Sequence, residues 1–84
     1  MTNDNPVGTR EALGAVAAGR HPATAQILQH FAWAHLPTHL QAVSMPCCHL
    51  AVGMVEVLPD GPELTAGLRK LLEAKDCFVR AALD

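Results

Sequence analysis

The segment Leu58–Leu83, LPDGPELTAGLRKLLEAKDCFVRAAL, decides how this 84-residue chain folds. Two prolines and a glycine in Leu58-Pro59-Asp60-Gly61-Pro62-Glu63 stop one helix, and Asp60 with Glu63 three residues on resembles a capping box opening the next. From Pro62 to about Leu83 the apolar residues Leu64, Leu68, Leu71, Phe78 and Ala82 recur in steps of three and four where they are closely spaced, the mark of an amphipathic helix. Lys75 falls on that stripe. A cation in an apolar seam is costly unless its amine escapes at the edge or meets an anion. Two accounts fit it: a snorkelling lysine paired with a carboxylate such as Glu56, or an ammonium presented to a phosphate. Arg69, Glu73, Asp76 and Arg80 fall on a separate face and read as a salt-bridge ladder at i,i+4. Gly67, Ala74, Cys77 and Ala81 form a third, small-residue face that lets another helix approach closely.

Upstream, the stripe Leu40, Val43, Cys47, Leu50, Met54 and Val57 predicts a long helix from about Thr38 to Leu58. Pro46 lies inside it without breaking the phase, so one kinked helix is expected. The short turn at residues 58–61 then makes an antiparallel helical hairpin. Before it, Pro22 suits a first helical position, and Ile27, Leu28, Phe31 and Ala34 predict a short helix ending near Leu36 ahead of Pro37. Trp33 would point with Gln26, Gln29 and His30, as an interface anchor or a stacking platform. Residues 1–21 are polar and spaced with glycine; they read as a mobile tail preceding a single domain over residues 22–84. The expected fold is therefore all-α: a short N-terminal helix followed by a long hairpin. Two packable faces on the last helix predict a homo-oligomer.

The composition narrows function. Net charge is −2, without the basic surface that polymeric nucleic acid needs. No Asp, Glu, Lys or Arg occurs between His21 and Val55, yet prolines, histidines and glutamines interrupt that stretch, so no membrane span is expected. Three cysteines, two of them adjacent, argue against a disulfide framework and fit a reducing cytoplasm. His30, His35, His39, Cys47, Cys48 and His49 lack metal-ligand spacing, and no arrangement suited to nucleophilic catalysis is visible. The chain reads as a binding protein without cofactor or metal, not an enzyme.

The block from Leu58 to Leu83 resembles the helical hairpin shared by phage anti-CBASS protein 2 and the anti-Thoeris sponge, in a layout covering roughly residues 23–83. The resemblance implies a cytoplasmic homohexamer that sequesters cyclic di- or trinucleotide immune signals without cleaving them. Trp33, in Trp33-Ala34-His35-Leu36, matches the family's base-stacking aromatic. The family's phosphate-holding lysine early in the long helix has no counterpart, since that region reads Met45-Pro46-Cys47-Cys48-His49. Lys75 and Arg69 are the replacement cations expected to meet phosphates, with His35 as a hydrogen-bonding partner. The alternative is a protein-interaction or structural hairpin with no nucleotide ligand.

Overall fold

A computed structural model describes residues 8–83, which contain four helices and no strand. They are α1 (Arg10–Val16), α2 (Pro22–Gln29), α3 (Thr38–Val57) and α4 (Pro62–Leu83). The longest two, α3 and α4, share the most extensive packing, and α1 and α2 lie across them.

Helix α1 corrects the expectation of a mobile segment up to residue 21. The Thr9 side chain accepts from the Ala12 N–H at 3.0 Å, capping the helix, and Leu13 and Ala17 are buried in the core. Gly19 lies beyond the helix, where its φ of +81° turns the chain toward α2. Residues 1–7, also placed in the tail, lie outside the described residues.

Helix α2 starts as expected at Pro22, with His21 Nδ1 accepting from Ala23 N–H. It stops at Gln29, well short of Leu36. The N–H groups of Trp33 and Ala34 both donate to the Gly8 carbonyl, at 2.9 and 2.8 Å, and this crossing replaces further helical turns. Trp33 is thus a loop residue and not part of a polar helix face. A Cβ on Gly8 would lie 2.9 Å from two carbons of the indole, so only glycine fits against that ring.

Pro46 is accommodated inside an unbroken α3. By length and composition this helix is apolar enough to cross a membrane, but it packs here as a core element. Its buried face is Leu40, Ser44, Cys48, Ala51, Val52 and Val55, rotated from the expected stripe. Leu50, Met54 and Val57 instead remain 51%, 38% and 71% exposed. Small residues at positions 44, 48 and 51 allow close approach to Leu28, Phe31, Leu64 and Leu68 in the core.

Asp60 does not serve the expected capping box. Its Oδ1 accepts from Thr24 Oγ1 at 2.8 Å and Arg20 Nε at 3.2 Å, and Oδ2 accepts from His21 N–H at 3.0 Å. The same Arg20 guanidinium donates to the Val55 and Leu58 carbonyls at the end of α3. One arginine therefore closes a helix C-terminus and clasps the α3–α4 turn to the start of α2.

These bonds hold the Asp60 carboxyl below its ordinary value of 3.8, the His21 N–H contributing most and Thr24 next. A depressed folded value means the ionised form is the one stabilised. Its contribution should be fully present above about pH 5 and vanish as pH falls through 3.8 and below. Thermal melts of wild type and Asp60→Asn should therefore differ most near neutrality, wild type melting higher, and converge in acid. Equal melting temperatures at pH 7 would contradict the clasp.

Candidate functional site

Two of the four expected site residues come together. A cleft of about 280 Å³ opens between the start of α1, the end of α2 with its following loop, and the second half of α4. Arg10, His30, His35, Lys75 and Arg80 supply its basic groups, and Asp76 is the acid in its wall. The loop that carries His35 is fixed from α3: Gln41 Nε2 donates to the Leu36 carbonyl at 2.9 Å and the Ala34 carbonyl at 3.3 Å.

Lys75 comes from the inner side of α4, and its side chain is only 13% exposed. Its Nζ pairs with Asp76 Oδ1 at 2.9 Å, a neighbour on the same helix and not Glu56. Asp76 is itself half exposed, so this pair is screened and contributes little to stability. Its use by Lys75 also removes Asp76 from the expected ladder with Arg80, whose guanidinium instead lies 3.3 Å from Cys77 Sγ. No Arg69–Glu73 ion pair forms among the described residues.

Trp33 and Arg69 lie elsewhere. The indole packs against the core, covered by Gly8, and its N–H meets no nitrogen or oxygen acceptor. The ring borders the core cluster that contains the buried Cys48. That makes Trp33 part of the support beneath the site and not an open stacking surface. Arg69 is exposed and lines a second cleft of about 370 Å³ with His21, Thr24 and Thr65, at the starts of α2 and α4.

Arg10, His30 and Arg80 were missed as site residues. Arg10 sits in the stretch read as mobile, and its neighbours Thr9 and Leu13 were the available signals of an ordered helix there. Arg80 lies five residues beyond Lys75 on α4, but the i,i+4 spacing assigned it to Asp76. Among the described residues no cluster of His, Cys, Asp or Glu is arranged to hold a metal ion.

Cys48 is fully buried, and burial pushes its thiol up to about 11; the Trp33 N–H and the Lys75 charge oppose this shift. At pH 8 the group is a neutral, inaccessible thiol. Timed alkylation with iodoacetamide should label exposed Cys77 first and half-buried Cys47 more slowly, with Cys48 blocked until the chain unfolds. Labelling of Cys48 at the rate of Cys77 would contradict the packing of Trp33 on it.

No protein-family model matches the chain, and comparisons with curated proteins and with solved structures give no match.

Proposed function

We propose that the protein binds an anionic nucleotide signal in the Lys75–His35 cleft and sequesters it without cleavage. The ligand is a cyclic di- or trinucleotide, and the role is that of a phage anti-defence sponge acting in the bacterial cytoplasm against CBASS-type immunity. The observation that carries this reading is the convergence of five basic side chains on one cleft with a single carboxylate, already engaged by Lys75. Lys75, whose side chain is only 13% exposed, attracts a phosphodiester more strongly than a surface cation does, while Arg10, His30, His35 and Arg80 are exposed at the rim. Arg10 and Arg80 offer planar donor forks that suit phosphate oxygens, while Lys75 offers a point charge.

This site differs in detail from the one the family resemblance implies. Lys75 and His35 hold the ligand with Arg10, His30 and Arg80; Trp33 shapes the support; Arg69 reaches the same ligand only from another subunit. The antiparallel α3–α4 hairpin and its assembly into a homo-oligomer, a hexamer by resemblance, belong to the same proposal. One observation favours the second reading, a protein-interaction hairpin: Leu50, Met54 and Leu58 stand exposed beside α4.

Calorimetry with a panel of cyclic di- and trinucleotides tests the proposal. At least one should bind, and denaturing the complex should release it intact. Lys75→Ala and His35→Ala should each weaken binding about tenfold or more, equivalent to about 1.4 kcal/mol, while Arg69→Ala in a dilute monomer leaves it unchanged. Absence of binding across the panel would remove the sponge reading, and release of a cleaved product would replace it with an enzyme.

A further inference from the structure

The basic cleft has a neighbour. A second cleft of about 370 Å³ opens between the start of α1 and the loop after α2, and Arg10, Ala32 and His35 line both. Gly8, Thr9, Glu11 and Ala34 line only this second one. Its floor is small and fixed: Gly8 and Ala32 are buried, and the Gly8 carbonyl accepts from the Trp33 and Ala34 N–H groups. A flat ring can lie against such a surface. The shared wall adds two planar side chains, the Arg10 guanidinium and the His35 imidazole, on which a base can stack.

Size and charge both tie the two clefts together. Small-molecule sites usually occupy roughly 300–1,000 Å³. The basic cleft alone, at about 280 Å³, falls short of that range, and the two together fall inside it. Their charges differ. Basic groups dominate the first, whose one carboxylate, Asp76, is held by Lys75. In the second the Glu11 carboxylate is exposed, and among the described residues no hydrogen bond or ion pair engages it. A phosphate is thus directed to the Lys75 side, and the Glu11 side suits a neutral group that donates hydrogen bonds.

We infer that the second cleft is a nucleobase subsite of the proposed nucleotide site, in which Glu11 selects guanine. The inference rests on the sponge reading and names its preferred ligand, a guanine-containing cyclic dinucleotide. A carboxylate only accepts hydrogen bonds. The guanine edge presents two adjacent donors, N1–H and the N2 amino group, which the two Glu11 oxygens can accept side by side. Adenine presents one amino donor beside the N1 lone pair, and cytosine one beside N3; a carboxylate repels both lone pairs. Arg10 and His35 stand at the junction, between the base and the phosphate it is joined to.

Calorimetry with cyclic di-GMP and cyclic di-AMP tests it, since the two carry the same charge and backbone and differ only in the base. Wild type should bind the guanine ligand about tenfold or more tighter. Glu11→Gln, whose amide has one donor and one acceptor side and pairs with either base, should bring the two affinities within about twofold of each other. The readout is the ratio, because a carboxylate acting only through its charge would shift both ligands alike. Ala34→Leu, which fills the second cleft and keeps the backbone bonds of the loop, should weaken the guanine ligand about tenfold with helical circular dichroism unchanged. Equal affinities in wild type, a preference that survives Glu11→Gln, or normal guanine binding by Ala34→Leu would each overturn the subsite and leave the basic cleft standing. No binding of either ligand would also overturn the subsite, and silence across the wider nucleotide panel would overturn the sponge reading with it.

Discussion

The Arg20–Asp60 clasp is the constraint on which the rest of the arrangement depends. It joins positions forty residues apart, tying the end of α1–α2 connection to the turn between the two long helices. Asp60 also engages the buried Thr24, so the clasp sets where α2 starts as well as where α3 ends. Hydrophobic burial of Leu13, Leu28 and Phe31 supplies the non-directional attraction between these layers. The polar clasp supplies register. Without it, the short α1 and α2 have few directional bonds to fix their position on the long helices.

That register positions the basic cleft. Arg10 arrives from α1, His30 from the end of α2, His35 from the loop pinned by Gln41, and Lys75 and Arg80 from α4. Beneath them Trp33 packs on Cys48, and Gly8 closes over the ring. The loop after α2 therefore packs Trp33 against the core and carries His35 at the cleft. A ligand entering the cleft meets side chains whose backbone supports are already fixed, which lowers the ordering cost of binding. The apolar groove beside Leu50, Met54 and Leu58 is lined by residues separate from those of this cleft.

The long helices were legible because their signals are local and strong. Pro59, Gly61 and Pro62 punctuate the chain, and periodicity runs unbroken across Pro46, so α3 and α4 emerged nearly as expected. The burial face of α3 was not legible. Leucine, methionine and valine at positions 50, 54 and 57 outrank Ser44, Cys48 and Ala51 in hydrophobicity, yet the small residues face the core because the neighbouring helix must come close. Ordering of residues 8–21 depends on contacts to sequence far away, above all Asp60 and Trp33, which no local pattern records. Lys75 stood out on its helical stripe, but the groups around it come from four separate segments. Trp33 was misplaced because a helix was extended through residues whose backbone donors belong to Gly8.

The central claim is that the Lys75–His35 cleft captures the ligand. Amide and side-chain NMR of the isotopically labelled protein, titrated with a cyclic dinucleotide and a cyclic trinucleotide, tests it most directly. Saturable shifts should centre on Arg10, His30, His35, Lys75 and Arg80, with Cys48 and the Trp33 indole N–H responding as the adjoining support. Shifts centred on Arg69 and Thr65, or no saturable shifts with either ligand, would contradict the account.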